Sequence, residues 1–198
     1  MKILLIIFGA VGLLVTVFQV AVAVSTGRTE HQRYRVVKRD GDVEIRYYPE
    51  AVMATVVSPD GTYRGSANRN FGRLAGYIFG GNKKEEKIAM TAPVHMELGT
   101  NGSSMSFVMP GESSQGALPP PNDPGVTLHA VPSEYVAVLR FGGFASDASI
   151  QAKRAALAAM LEAKGIPHKG DFRFLGYNPP FQWFGRHNEV IVGVDWKE

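Results

Sequence analysis

An α+β fold made of two copies of one sheet-and-helix unit is predicted by three observations. Met53 to Ile78 (MATVVSPDGTYRGSANRNFGRLAGYI) reads as strand, turn and amphipathic helix. Val136 to Leu161 (VAVLRFGGFASDASIQAKRAALAAML) repeats that order at a constant offset, since 136 − 53 and 161 − 78 both equal 83. After each helix comes a glycine (Gly81, Gly165), an extended segment with a proline motif (TAPV at Thr91 to Val94, YNPP at Tyr177 to Pro180) and a period-2 strand. Strands in pairs with only two soluble helices complete the pattern. Each unit must bury its apolar face against its twin. The halves, about residues 34–110 and 126–198, are therefore expected to curl into a distorted antiparallel barrel flanked by two α-helices. Their seam is the natural place for a ligand cleft.

The first segment, residues 1–27, stands apart from the folding domain, 28–198. From Ile3 to Gly27 there is no charge, and Ile3 to Val24 is apolar except for Thr16 and Gln19, about the length of a bilayer span. Ala21-Val22-Ala23 also offers a secretory cleavage site, but the apolar stretch exceeds the 7 to 15 residues of such signals, which favours a retained single-pass anchor. Arg28, Arg33, Arg35, Lys38 and Arg39 follow the span and only Lys2 precedes it, so the positive-inside rule places the domain in the cytoplasm. The signal reading places it in the periplasm or outside the cell. Those five cations also suit a linker touching anionic headgroups.

The elements follow in order. Thr26 to Arg39 is a polar linker or lead-in strand. Val43 to Tyr48 and Val52 to Val57 are strands separated by Pro49 and are expected to form a hairpin; Ser58-Pro59-Asp60-Gly61 is a turn. Tyr63, Ala67, Phe71, Leu74 and Ile78 make one apolar helical stripe, with Arg64, Arg69 and Arg73 as an adjacent cationic strip, and Gly80-Gly81-Asn82 ends the helix. Ile88 to Leu98 and Met105 to Met109 are paired strands. Gly111 to Gly125 (GESSQGALPPPNDPG) reads as a linker between halves. Val126 to Val131 and Val136 to Phe141 are strands; Asp147 is the expected N-cap of an alanine-rich helix with Ile150, Leu157, Met160 and Leu161 facing the sheet. Phe172 to Tyr177 and Val190 to Trp196 close it.

Composition narrows the chemistry. The chain has 198 residues, of which roughly 170 remain for one domain. With no cysteine it has no disulfide, thiolate nucleophile, Cys-ligated metal or covalent c-type haem. A net charge of +3, spread along the chain, argues for no nucleic-acid partner, and a monomer is expected. None of the five histidines, His31, His95, His129, His168 and His187, has a helical metal-site partner at i+3 or i+4, which disfavours zinc. His187, in the turn GRHNE beside the proline-aromatic segment, is the foremost ligand candidate among them. No nucleophile elbow, Walker loop or dinucleotide fingerprint is present, and the expected protein is not an enzyme. Instead Met90, Met96, Tyr177, Phe181, Trp183 and Phe184 gather near prolines, suited to core packing or to a flat apolar cleft.

The strings VEIRYYP (Val43 to Pro49), KIAMTAPVHME (Lys87 to Glu97) and GYNPPFQWFGRHNEV (Gly176 to Val190), in that order around two helices, resemble the SOUL haem-binding family over about Tyr34 to Trp196. The resemblance implies duplicated βαββ halves and reversible binding of haem or a related tetrapyrrole in a shallow hydrophobic cleft beside the first soluble helix. That cleft would use Phe71, Arg73, Leu74 and Ile78 with Tyr177, Phe181, Trp183 and Phe184, flanked by Met90. Arg69 or Arg73 would meet the propionates. Where some family members carry a candidate axial histidine, this chain has Tyr47, which fits phenolate ligation or plain packing in the sheet. The implied role is a membrane-tethered or exported binder that buffers or delivers the ligand. Two other classes stay open. One is a small-molecule sensing or hydrolysing domain, by likeness to gyrase-inhibitory-protein-like ligand domains, with Glu189 as buried acid. The other is a partner-binding module using the linker or the aromatic loop.

Overall fold

The computed structural model describes residues 2–111, 113 and 116–197, with side chains from Ile7 onward. Helix α1 (Lys2–Gly27) leads into β1 (Glu30–His31), β2 (Arg35–Asp40), β3 (Val43–Tyr48) and β4 (Ala51–Ser58). Helix α2 (Tyr63–Ile78), β5 (Thr91–Ala92), β6 (Val94–Gly99) and β7 (Gly102–Val108) complete the first half. The second comprises β8 (Val126–Val131), β9 (Glu134–Phe141), α3 (Asp147–Ala163), β10 (His168–Gly176) and β11 (Asn188–Val194).

Nine strands form one antiparallel sheet in the order β2-β3-β9-β11-β10-β6-β7-β4-β8, so the fold is α+β, with two copies of one unit of four strands and a helix. The sheet is open, with β2 and β8 at its edges, instead of closing into a barrel. The duplication is legible in this order. Exchanging β3 with β8, β4 with β9, β6 with β10 and β7 with β11 reverses the eight repeated strands, which places a pseudo-dyad between β10 and β6. The 83-residue offset reaches the preceding strands too, because 126 − 43 and 134 − 51 both equal 83. Strands β4 and β9 share one burial pattern, residue for residue.

The expected hairpin of β3 with β4 does not form. Strand β3 crosses to pair with β9, and β8 crosses to pair with β4, so each half donates an edge strand to the other. The two residues Pro49 and Glu50 set the strands apart without turning them into partners, because Pro49 has no N–H to close a ladder.

Helices α2 and α3, expected to flank a barrel, both lie on one face of the open sheet. Leu74 and Ile78 of α2 and Ile150, Leu157 and Leu161 of α3 share a core with Ile45, Val56, Met105, Phe174 and Val192. Their N-termini meet: Asp147 accepts bonds from the Tyr63 and Arg64 backbone N–H groups, at 2.6 and 3.3 Å. Asp147 thus serves α2 instead of capping its own helix. Ser146 caps α3, in a reciprocal box with Ser149. The far end of the Gly111 to Gly125 segment is more than a tether, since Tyr77 Oη donates to Pro119 O and Asn122 N to Gly81 O.

Candidate ligand-binding site

The residues singled out from the sequence divide among three places. The first is α2. With 3.6 residues per turn, Ser66, Asn70, Leu74, Tyr77 and Ile78 form its buried ridge. Leu74 and Ile78 are therefore core residues that offer no surface to a ligand. Phe71, Ala75 and Phe79 run along one flank; Phe71 is 42% and Phe79 65% exposed. Arg69 and Arg73 run along the other. Gly72 and Gly76 pave the outward strip between them, and a Cβ added at either would meet no atom within 4 Å. The helix thus presents a smooth shelf, aromatic on one side and cationic on the other. Phe71 packs edge-on against Phe107 of β7, ring centres 5.3 Å apart. Arg69 donates to Ser58 Oγ at 3.0 Å, whereas Arg73 makes a bidentate pair with Asp123, both bonds 2.7 Å. Hydrogen bonding from Arg73 holds the Asp123 carboxyl down at about 2. Met90 is half-buried against the core, two residues past Ile88, whose N–H bonds the last carbonyl of α2.

The second place is the late loop, Tyr177 to His187. Phe181, Trp183 and Phe184 are all at least half exposed, and their loop is joined to α1: Phe181 meets Phe18, ring centres 6.2 Å apart, and the Trp183 N–H bonds Gln19. The third place is Tyr47, on β3 beyond β9, paired with Tyr135 at 5.1 Å and under Arg35. Helix α2 rests on β4, β7 and β8, at the other end of the sheet. Phe71 and Tyr47 therefore do not border one cleft.

The sheet face away from α2 and α3 holds what the sequence only hinted at. Glu189 is fully buried, yet it is saturated with partners. Arg46 reaches both its oxygens at 2.9 and 3.0 Å, Tyr177 Oη donates at 2.8 Å and His187 Nε2 lies 2.8 Å away. Burial alone would raise its pKa, but the bonds from His187, Arg46 and Tyr177 outweigh that and hold it at about 2. This carboxylate is a charge-neutralised structural centre, not an acid kept protonated to meet a substrate. His187, stacked on Tyr177 at 4.1 Å, belongs to the same network. The partnership of Arg46 with Glu189 lay 143 residues apart, and only the crossing of β3 to β9 could reveal it.

On the first-half side of that face is a cavity of about 360 Å³ lined by Met53, Thr55, His95, Glu97, Ser106 and Arg173 among others. His95, bonded through Nε2 to Gln32 Oε1 at 2.8 Å, is driven down to about 3 by burial, with Arg173 adding repulsion. Among the described residues no group of three His, Cys, Asp or Glu could hold a metal ion.

Known proteins resolve the kinship. The family described as SOUL heme-binding protein matches residues 29–193. "Heme-binding protein 2" of Mus musculus is 33% identical over 158 residues, 76% of this chain and 77% of its own. The Homo sapiens protein of that name is 34% identical over 160 residues, with the same coverage. "Heme-binding protein 1" of Mus musculus is 29% identical over 83% of this chain and 92% of its own. The EcmrR C-terminal domain shares the fold, with TM-score 0.60 at 11% identity over 83% of this chain and 99% of that one. The match spans nearly the whole domain beyond α1, and the chain belongs to the SOUL heme-binding family.

Proposed function

We propose that this protein binds haem or a related tetrapyrrole reversibly on the outward shelf of α2, without catalysing a reaction, and holds it close to a membrane. The observation that carries this reading is the glycine-paved strip between Phe71 and Phe79 on one flank and Arg69 and Arg73 on the other. Phe71 and Phe79 are eight residues apart, about 12 Å along the axis, a reach suited to a planar macrocycle. Its apolar face is desolvated by glycine backbone and the two rings, while its propionates meet guanidinium groups that remain solvent-accessible.

Family membership supports the ligand class, and the shelf supports its placement. The shelf residues supply apolar contact and charge but no imidazole or thiolate, so the macrocycle and propionates, more than the iron, carry the affinity. When bound, haem would supply the chemistry of its iron; the protein's own residues would orient the ring and neutralise its acids. The N-terminal helix supports the membrane part: its Ile7–Gly27 stretch is long and apolar enough to span a bilayer.

The test is haemin titration into the full-length protein in nanodiscs, with empty nanodiscs as reference. A saturable Soret shift that is lost on Phe71→Ala/Phe79→Ala supports the reading. A shift no larger than that of empty nanodiscs, or one indifferent to both phenylalanines, overturns it. Metal-free protoporphyrin should bind with affinity within about tenfold of haemin, because little of the binding depends on iron.

A further inference from the structure

Gln19 is an amide in the middle of an apolar helix, where an unpaired polar group is costly. It is satisfied from outside the helix. Its Nε2 donates to Phe181 O at 3.0 Å and its Oε1 accepts the Trp183 N–H at 2.9 Å. One residue from the helix end, Thr26 donates to Gln182 Oε1 at 2.9 Å, and Phe18 touches Phe181. The late loop is therefore fastened along the C-terminal turns of α1, the same turns that are apolar enough to enter a bilayer.

The loop is also built to hold its shape. Arg186 Nη1 donates to Pro179 O and Gln182 O, both at 2.7 Å, Gln182 Nε2 donates to Phe184 O, and Arg186 stacks over Phe144 at 4.3 Å. With its polar groups turned inward, it leaves Phe144, Phe181, Trp183 and Phe184 exposed by 51 to 73%. A braced loop that spends its hydrogen bonds on itself and on α1 and shows rings outward, next to an apolar helix, matches the aromatic residues that concentrate at membrane interfaces.

We infer that the late loop is a membrane-seating element: Phe181, Trp183 and Phe184, with Phe144, enter the boundary between headgroups and acyl chains beside α1. Gln19 lies eight residues from Gly27, about 12 Å, so the rings reach that depth when the last two turns of α1 cross the headgroup layer. The inference rests on the reading of α1 as a retained membrane anchor. It gives the late-loop aromatics to lipid and leaves the ligand to α2, and it makes Gln19 the latch between anchor and domain.

The experiment uses full-length protein carrying Trp196→Phe, so that Trp183 is the sole tryptophan, in phosphatidylcholine/phosphatidylglycerol vesicles. The protein should float with the vesicles, and lipids brominated near the headgroup should cut Trp183 emission by about half, with aqueous iodide having little effect. Gln19→Ala should reduce that quenching while flotation persists. Because the chain has no cysteine, a nitroxide on Phe184→Cys reads the same depth by electron paramagnetic resonance if the tryptophan variant folds poorly. Flotation with Trp183 open to iodide, or a nitroxide broadened only by aqueous relaxants, overturns the seating and spares the anchor. Failure to float overturns the anchor and the seating together, and leaves haem binding on α2 untouched.

Discussion

Helices α2 and α3 occupy equivalent places in the two halves, yet their outward surfaces differ position by position at the offset of 83. Phe71 corresponds to Arg154, Gly72 to Ala155, Gly76 to Ala159, Phe79 to Glu162, Arg69 to Ala152 and Arg73 to Ala156. The buried ridge is kept, with Leu74 matched by Leu157 and Ile78 by Leu161. Packing on the sheet accounts for what the two helices share. It does not account for the glycines of α2, each of which weakens an exposed helix position by about 1 kcal/mol relative to alanine. Asn70 adds to the burden, because its buried Nδ2 has no hydrogen-bond partner among the described residues. A helix that is less stable than its twin, and keeps a smooth aromatic face, is the one shaped by something outside the fold.

The opposite face of the sheet shows the same divergence. By the strand registers Ser104 stands where Glu189 stands in the other half, and His129 where Arg46 stands. One half lines an open cavity; the other is sealed around a paired charge. Breaking that pair gives the largest expected effect. Glu189→Gln takes the buried carboxylate from the Arg46 guanidinium, 4% exposed, and leaves it only the partly exposed Glu44 at 2.7 Å, so it should cost about 3 kcal/mol in denaturant unfolding of the detergent-solubilised chain. Ser104→Ala, which loses only an exposed 3.2 Å bond to Glu97, should stay within about 0.5 kcal/mol. Equal effects would mean that the halves are sealed alike.

Acid acts on both halves of this face. Glu189 has its folded pKa depressed to about 2 from 4.5, so its contribution is complete above the unfolded value and is lost as pH falls from 4.5 toward 2. His95 is depressed to about 3 from 6.5. The fold holds it neutral while the unfolded chain takes up a proton, so stability is again greater at high pH and falls as pH drops below 6.5. Unfolding midpoints followed between pH 7 and pH 5 should therefore decline, and His95→Gln should flatten that decline; an unchanged slope would assign it to another group.

Next in size is the exchange of the helix surfaces. Gly72→Ala/Gly76→Ala should stabilise the protein by about 1 to 2 kcal/mol in total and weaken haemin binding, because two methyl groups rise from the shelf. Ala155→Gly/Ala159→Gly should destabilise by a similar amount without touching affinity. If both pairs leave haemin titration unchanged, the distinction between α2 and α3 is one of helix propensity alone.

Much of this was legible in the chain and some of it was not, for physical reasons. The repeat was visible because 83-residue spacing preserves which residues face the core, and β4 and β9 bury in step. Strand partners were not, because period-2 alternation marks a strand without naming its neighbour; hence β3 was expected beside β4. In α2 the five apolar residues were read as one stripe, but their spacing drifts around the helix. Leu74 and Ile78 end in the core, Phe71 on its shoulder, and polar Ser66 and Asn70 share the ridge. The late-loop aromatics were expected to share a cleft with α2; the contact of Phe181 with Phe18 of α1 joins the two ends of the chain, and composition carries no trace of it. The bond of Gln19 to that loop spans 162 residues and had no local signature beyond a lone amide in an apolar run.

The smallest expected effect on folding concerns the two arginines of the shelf. Arg73 and Asp123 are each about a third exposed, so solvent screening limits their pair to at most about 1 kcal/mol despite the good geometry. Arg73 is already matched to a carboxylate, and a propionate must displace Asp123 to reach it. Among the described residues Arg69 has only the neutral Ser58 hydroxyl as its hydrogen-bond partner, with the Asp60 carboxylate near enough to feel its charge but not bonded to it. It is the better propionate receiver, so Arg69→Ala should weaken haemin several-fold more than Arg73→Ala, by about tenfold in Kd for the loss of a charged hydrogen bond. Esterified porphyrin, which has no carboxylates, should bind both variants like the parent. A second contrast locates the effect further: Asp123→Asn frees Arg73, and should raise haemin affinity while leaving the ester unchanged. If Asp123→Asn lowers affinity instead, the Arg73–Asp123 pair positions the shelf, and the propionates lie elsewhere.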